Sequence, residues 1–360
     1  MNINYKQTLP EKSLPIMIIG AGGIVRDAHL PAYRKAGFEV FGIIDRLKDK
    51  AIKLAEQYEI NHVYSSVKES VKNAPQNAIY DLALPPEQSL KVLKQLPNGV
   101  PVLIQKPMGI DLESARAIYS ICHQKRLTAA VNFQLRFAPF VKAARDIIDS
   151  EIIGEIYDME IRLTTYTPWG KFPYVKHQKR LEIPFHSIHY IDLIRSFLGE
   201  PAGVMAKTVG HPHKVELSST RSTVLFDYGK TTHAVINTNH DHEFGPTNQE
   251  SFIKWEGTNG AIKAKMGLLL NYPDGVPDKF EYCLLNENDK PLWKTKKLKG
   301  SWFPDAFIGT MSSLMQYVNE STKALPTRVE DAIKTMAIVE SAYESDKNGG
   351  ANVSERLNEL

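Results

Sequence analysis

Cysteine is scarce in this sequence. Only Cys122 and Cys283 occur among the 360 residues. Two cysteines cannot form the disulfide framework of a small secreted scaffold, and their spacing does not match a metal motif. We therefore expect a protein of a reducing compartment.

Long apolar runs and an excess of one charge are missing as well. No run approaches the roughly 18 apolar residues of a transmembrane helix, and residues 1–13 lack the apolar core of a signal peptide. The net charge is only +3, so neither a nucleic acid nor a membrane is expected as a partner. With 42% hydrophobic and 24% charged residues, the composition is typical of a globular protein large enough for two domains, and we expect it to be cytoplasmic.

Two histidine-rich segments fall short of a metal motif. His211 and His213 form one pair, and His240 and His242 precede Glu243 in the other. Neither pair has further ligands at a familiar spacing. We predict loop or strand-edge histidines here and no metal site.

A glycine-rich turn joins the first apolar strand to a helix. Gly20 permits a tight turn, Gly22 lets the backbone approach a pyrophosphate, and the helix N-terminus favours that phosphate. Asp45, at the end of the next strand, would accept hydrogen bonds from ribose hydroxyls. The alternative is a plain turn with Asp45 as a solvated acid. The turn residues that we assign to a dinucleotide cofactor are Gly20, Ala21, Gly22, Gly23, Ile24 and Val25.

One turn position departs from the motif. Val25 stands where glycine or alanine normally allows close packing of helix on strand, so the helix is expected slightly farther out. Asp45 favours NAD, because its carboxylate repels a 2′-phosphate. Arg46 keeps NADP as the alternative, since an arginine there can accept that phosphate.

The strand pattern changes near residue 132. From 14 to 132, strands and helices alternate, which predicts an α/β fold with a parallel sheet covered by helices on both faces. Longer strands joined by Gly, Asn and Asp turns follow and predict a largely antiparallel sheet, interrupted by a helix at 187–198. The predicted domains are 1–132 and 133–325, with a C-terminal segment at 326–360.

Lys106 follows a strand on the side where such sheets bind nucleotides. A lysine there can hydrogen-bond a substrate hydroxyl and stabilise the alkoxide as hydride leaves. Pro107 restricts its backbone and could follow a cis bond. The alternative is an ordinary surface lysine.

Three polar residues share one face at the start of the helix predicted at 187–198. His186, His189 and Asp192 are spaced by three. His189 is suited to general acid–base work, and Asp192 could orient it or hold a sugar hydroxyl. The alternative is a helix-start histidine used for capping or packing.

Together these motifs resemble the Gfo/Idh/MocA oxidoreductases, the glucose-fructose oxidoreductase and inositol dehydrogenase family. Further matching segments are His29–Ala32, Ala83–Pro86, Gln105–Pro107, Asn132–Phe137 and 326–343. The resemblance implies an N-terminal Rossmann doubly wound domain, a second α/β domain with an open, mostly antiparallel sheet, and a C-terminal helix returning toward the first domain. It also implies NAD(P)-linked chemistry at a CH–OH group of a sugar, sugar acid or cyclitol, with Lys106 and His189 at the reacting carbon.

The same resemblance extends to partners and to further site residues. It implies a homodimer or homotetramer formed through the open sheet. It places Arg136 and His186 near the substrate. The cofactor residues that it adds are Leu84, Pro85, Gln105, Lys106 and Asn132.

The chain departs from the family pattern at three places. Gln105 replaces the usual glutamate before the lysine, Leu84 and Ser89 alter the preceding turn, and Phe185 stands where many members have an aspartate. Either His186, beside Phe185, takes over part of the role of that aspartate in the proton relay, or the relay differs in this chain.

The loop at 167–180 is basic and aromatic, with no acid. We predict that it covers the substrate, with Trp169 or Tyr174 stacking on a sugar ring and Lys176 or Arg180 pairing with an anionic group. The alternative is a solvated basic loop or a subunit contact.

The leading prediction is a sugar or cyclitol dehydrogenase. Two other functions fit the same scaffold: an NAD-dependent glycosidase with transient oxidation, and a non-catalytic cofactor-sensing regulator. A regulator would need neither Lys106 nor His189, so their presence favours an enzyme.

Overall fold

The computed structural model describes residues 1–171, 173–285, 290–320 and 324–350. It contains two β-sheets, each covered by helices. Within these ranges, no helix is long and apolar enough to cross a membrane.

The first sheet is parallel and has six strands in the order β3-β2-β1-β4-β5-β6. Its central strands are apolar and fully buried, because helices cover both faces of such a sheet. The predicted parallel sheet is confirmed. Its strands are β1 (Ile16–Ile19), β2 (Val40–Ile44), β3 (His62–Tyr64), β4 (Ile79–Leu82), β5 (Pro101–Ile104) and β6 (Thr128–Val131).

The helices of this half begin and end where local signals place them. Asp111 caps α5 in a reciprocal capping box with Ser114, and Gly37 ends α1 in the left-handed region. A single π-helical turn, Val25–His29, precedes α1. The helices are α1 (Leu30–Ala36), α2 (Lys48–Tyr58), α3 (Val67–Asn73), α4 (Pro86–Leu93) and α5 (Leu112–Gln124).

The second sheet has eight strands in the order β14-β13-β12-β11-β7-β10-β9-β8. Among these strands, β7 and β10 pair in parallel and the other pairs are antiparallel. The strands are β7 (Ile156–Thr164), β8 (Gly203–Val209), β9 (Arg221–Asp227), β10 (His233–Asn239), β11 (Glu250–Gly257), β12 (Gly260–Lys265), β13 (Lys279–Leu284) and β14 (Lys294–Lys296). The predicted antiparallel sheet is confirmed, but the short polar strand β14 had no apolar alternation that could reveal it.

Four further helices complete the fold: α6 (Pro139–Asp149), α7 (Ile188–Leu198), α8 (Asp305–Asn319) and α9 (Val329–Asn348). Helix α7 packs against β7, β10 and α9 and is buried over most of its length. Helix α9 also contacts α5 and β6 of the first half. The predicted C-terminal segment extends to residue 360, and its residues 351–360 lie outside the described residues.

The face of the second sheet opposite its helices is more exposed. Met205, Leu225 and Val235 lie in register across β8, β9 and β10 on this face. Apolar side chains on an open face suit a contact between copies of a chain. Homo-oligomerisation through this face stays a prediction.

Candidate active site

The glycine-rich turn follows β1 and has the shape that a dinucleotide needs. Gly20 has φ +116°, and a Cβ there would overlap the carbonyl oxygen of Ala83, so a side chain is excluded. A Cβ at Gly22 would meet no atom of the described chain within 4 Å. Open space at Gly22 lets a pyrophosphate approach the backbone.

Asp45 ties the end of β2 to this turn. One of its carboxylate oxygens accepts the Ala21 N–H at 2.7 Å, and the other accepts the Leu47 N–H at 2.8 Å. Each oxygen keeps a second lone pair for a ribose hydroxyl. Arg46 is exposed beside it. These residues therefore fit NAD.

Val25 is fully buried in the core beneath the turn. The five residues from Val25 form the π-helical turn, and regular α-helix begins only at Leu30. The larger side chain at this motif position therefore coincides with a local widening of the helix. The π-helical segment is only one turn long, as is usual for such segments.

Lys106 lies just after β5, at the same edge of the sheet as the glycine turn. Its ammonium donates a hydrogen bond of 2.6 Å to the carbonyl oxygen of Phe185. Burial lowers the pKa of Lys106 to about 8. The Lys106–Pro107 peptide bond is cis. The Lys106 contact joins the first sheet to the segment that leads into α7.

His189 lies in the first turn of α7 and is buried. Its ring stands edge-on to Trp302, with 6.0 Å between ring centroids, and Nδ1 has no hydrogen-bond partner among the described residues. Burial, reinforced by the charge of Lys106, holds the pKa of His189 well below its usual value. His189 is therefore a neutral imidazole at neutral pH.

His186 is half-buried one turn before His189. Burial, together with the charges of His240, Lys106 and His189, lowers its pKa well below the usual value. Its ring lies 4.4 Å from that of His240, measured between centroids. The Phe185 carbonyl that Lys106 contacts immediately precedes His186, so the segment that carries both histidines is joined to the lysine.

Asp192 does not join this group. Its two carboxylate oxygens accept hydrogen bonds of 2.6 Å each from Arg136, and Thr335 donates to one of them at 3.2 Å. Arg136 also donates to Asp331 at 2.8 Å. The hypothesis that Asp192 orients His189 is therefore corrected, because its charge is committed to a buried ion pair. Arg136 and Asp192 hold α7 to the rest of the protein.

Trp169 is also placed differently from the prediction. It is only 6% exposed and packs with Val175, Leu181 and Leu217. Its indole N–H donates to Asp241 at 3.3 Å, and its ring makes T-shaped contacts with the rings of His186 and His240. Trp169 therefore forms a wall behind His186 and offers no free face for stacking on a sugar.

The rest of the 167–180 loop is tied to the protein on both sides. Gln178 donates to Glu87 of α4 at 3.1 Å. Arg180 makes a paired contact with Glu340 of α9, at 2.8 and 2.9 Å, so it is not free for an anionic substrate. Tyr174 is 52% exposed, and Lys176 is exposed.

A buried polar network supports the lysine loop from below. Gln105 accepts the Lys106 N–H at 2.9 Å, and its amide nitrogen lies 3.2 Å from Nε2 of His29. Nδ1 of His29 lies 2.7 Å from a carboxylate oxygen of Asp81. Asn132 lies 3.4 Å from the same His29 nitrogen. Gln105 and Asn132 are thus held by hydrogen bonds beneath the cofactor turn.

Sequence reasoning missed the roles of His29 and Asp81. His29 lies in a matched family segment, but Asp81 is one acid inside an apolar strand. His29 lies in the π-helical turn and Asp81 in β4, and no local spacing of residues predicts that the two pair. The two remaining residues predicted to bind the cofactor border the turn: a Leu84 methyl group would lie 3.5 Å from a Cβ at Gly20, and Pro85 occupies the N-cap position of α4.

Comparisons with known proteins agree with this arrangement. Residues 14–133 match the family model described as the oxidoreductase family, NAD-binding Rossmann fold. Residues 141–263 match the model of the GFO/IDH/MocA C-terminal domain. D-apiose dehydrogenase from Rhizobium rhizogenes is 24% identical over 273 residues, which are 70% of this chain and 72% of that protein.

Solved structures share the whole fold. An oxidoreductase from Agrobacterium radiobacter, in complex with NAD+, L-tartaric acid and magnesium, has a TM-score of 0.77 at 20% identity and covers 96% of this chain and 100% of its own. Levoglucosan dehydrogenase in complex with NADH and levoglucosan has a TM-score of 0.76 at 17% identity, covering 94% and 98%. Identities this low show likeness of fold alone.

Proposed function

The chain belongs to the Gfo/Idh/MocA family of NAD-binding oxidoreductases, and from that premise we propose that it oxidises or reduces a CH–OH group of a sugar, sugar acid or cyclitol. The predicted enzyme class and NAD cofactor are confirmed by the family. The substrate class rests on the site and on the relatives. Bound NAD would supply the hydride acceptor, and NADH the donor.

One observation carries the proposal: the Lys106 ammonium, at the cofactor edge of the first sheet, contacts the segment that leads into the helix of His189. Lys106 contacts the carbonyl of Phe185, four residues before His189, and its charge adds to the burial that lowers the pKa of His189. An ammonium can stabilise a developing alkoxide, and a neutral imidazole can accept the hydroxyl proton. The pair therefore has the groups that oxidation of an alcohol needs.

The relatives favour a polyhydroxylated substrate. D-apiose and levoglucosan are carbohydrates, and tartaric acid is a hydroxy acid. We propose neutral sugars as first candidates, because Arg180 is already paired with Glu340 and so does not favour an anion. The test is a panel of apiose, levoglucosan, inositol and uronic acids with NAD, read by the absorbance of NADH. Release of an alcohol from a glycoside without net NADH would instead indicate the glycosidase reaction.

Turnover is expected to depend on pH through Lys106. Its pKa of about 8 is lowered from the ordinary value, so the amine is protonated below pH 8 and neutral above it. Alcohol oxidation should become slower as pH rises through 8, because the neutral amine no longer stabilises the developing alkoxide. Carbonyl reduction should become slower over the same range, because the ammonium donor is lost. Profiles of kcat/KM in both directions measure this.

A Lys106→Arg variant is the control for this profile, because a guanidinium stays protonated at alkaline pH. It should lose the inflection near pH 8 that we assign to Lys106. His189 titrates well below its usual value and contributes no step there. An oxidation rate that is flat across this range in the wild type would contradict the assignment.

Cofactor preference is expected to follow Asp45. We propose NAD over NADP because the carboxylate accepts ribose hydroxyls and repels a phosphate. Asp45→Ala should lower kcat/KM for NAD about tenfold, the effect of losing roughly one charge-assisted hydrogen bond. Asp49→Ala, in the exposed first turn of α2, is the matched control. A wild-type preference for NADP would refute the proposal.

A further inference from the structure

Glu182, His186 and His240 meet in the interior although they are distant in sequence. A ring nitrogen of each histidine and a carboxylate oxygen of Glu182 all lie within 4.8 Å of one another. Glu182 is 0% exposed and His240 is 2% exposed. We call these three residues the His–His–Glu cluster.

Local structure explains how the first two residues converge. Glu182 immediately precedes the π-helical turn Ile183–Ser187, and this turn brings His186 and Ser187 back toward it. The Ser187 hydroxyl lies 2.8 and 3.0 Å from the two carboxylate oxygens. The carboxylate is therefore held in place beside His186.

His240 arrives from the second sheet. It follows β10, which is parallel to β7, so the carboxyl ends of both strands lie at one edge. Thr167, just past β7, hydrogen-bonds Nδ1 of His240 at 3.0 Å. Nε2 then faces Glu182, 3.4 Å from a carboxylate oxygen.

Two ring nitrogens in the cluster are poorly satisfied. Both are buried: Nδ1 of His186 has no hydrogen-bond partner among the described residues, and Nε2 of His240 has only its 3.4 Å contact with Glu182. A buried polar atom without a partner is costly. A proton shared between His240 and Glu182 would satisfy Nε2 of His240 but would leave Nδ1 of His186 without a hydrogen bond.

A divalent cation can accept all three groups at once. Two imidazoles and one carboxylate are a known ligand set for zinc, with a fourth position left open. Mg²⁺ and Ca²⁺ prefer oxygen ligands only. The Thr167 hydrogen bond resembles the outer partner that fixes the free nitrogen of a metal-bound histidine.

We propose that the His–His–Glu cluster binds a transition-metal ion, with Zn²⁺ as the best match to its donors. The site is separate from the cofactor turn, and its occupancy does not depend on the proposed reaction. It adjoins the reaction centre, because the Phe185 carbonyl that holds Lys106 lies within the same turn. A bound ion would fix that turn.

The prediction of no metal site was based on spacing along the chain. It grouped His240 with its sequence neighbours His242 and Glu243 and therefore did not include Glu182 or His186. In the structure His242 instead hydrogen-bonds the Thr247 carbonyl at 3.0 Å, and Glu243 pairs with Lys214 at 2.7 Å. The residues proposed to bind the metal ion together with His240, namely Glu182 and His186, come from another segment of the chain.

The test is titration of the chelator-stripped full chain with zinc sulfate by calorimetry, with metal content measured after dialysis. We expect one Zn²⁺ per chain. His240→Gln and Glu182→Gln should weaken binding by at least about a hundredfold, and Thr167→Val by about tenfold or more, as for outer-shell partners. His211→Ala/His213→Ala removes the other histidine pair and should change nothing.

Circular dichroism and NAD binding show whether each variant is folded. Thr167→Val removes only a hydroxyl, so it keeps the test valid if Glu182→Gln fails to fold. A wild-type chain that takes up no stoichiometric Zn²⁺ would overturn the site. So would Zn²⁺ binding that His240→Gln and Thr167→Val leave unchanged, or that His211→Ala/His213→Ala abolishes.

Discussion

A Lys106→Met variant is expected to lose turnover by about a thousandfold, within the range for removal of a general acid–base group. Its NAD affinity should stay near that of the wild type, because we assign most of the cofactor contacts to the glycine turn and Asp45. The physical reason is the proposed contact of the ammonium with the reacting oxygen; its one described hydrogen bond is to the Phe185 carbonyl. Steady-state kinetics and fluorescence titration with NADH measure the two effects separately.

The matched control is Lys142→Met. Lys142 lies in α6, is half-buried, and has a pKa lowered by burial, as Lys106 has. Its loss tests whether removing any half-buried ammonium reduces activity. If Lys106→Met keeps most of its turnover, or loses NAD affinity in parallel, Lys106 has no role in the chemical step.

Arg136→Met is expected to lower the free energy of unfolding by about 3 kcal/mol, because it leaves a buried carboxylate without its main partner. Asp192 is 1% exposed and Arg136 pairs with it through two hydrogen bonds of 2.6 Å. Nearby Arg195, 4.0 Å from Asp192, compensates only in part. Urea denaturation of the variant and wild type measures the difference.

Two further variants make this result specific. Arg162→Met breaks a pair with Glu250 in which both side chains are nearly half exposed, so its cost should stay below about 1 kcal/mol. Arg136→Met/Asp192→Leu should recover part of the lost stability, since no buried charge is left unpaired. Equal losses in Arg136→Met and Arg162→Met would contradict the structural role. A raised KM at unchanged stability would restore the substrate-binding role first predicted for Arg136 and Asp192.

Helical spacing was a poor guide to partners within α7. It predicted that His186, His189 and Asp192 share one face, which suggested a relay. Helix α7 is buried almost all round, so polar residues on it find partners in several directions. Asp192 meets Arg136, whereas His189 meets the ring of Trp302.

Aromatic composition was a poor guide to the 167–180 loop. Trp169 in a basic loop suggested a platform for a sugar ring. In the structure it packs in a small apolar cluster, because burial of its large side chain against Leu181 and Leu217 is favourable. Composition shows that an aromatic ring is present but not which surface it covers.

The sequence by itself determined the elements that local rules control. Apolar strands, the glycine turn and the capped helices depend on residues a few positions apart, and they could be predicted together with the family and its cofactor. Only the tertiary structure decided which distant groups meet. Lys106 contacts Phe185, 79 positions away, and His240, which follows β10, meets Glu182 and His186 from a distant segment. The physical reason is that a buried polar group must take its partner from whatever segment packs against it, and spacing along the chain carries no record of that choice.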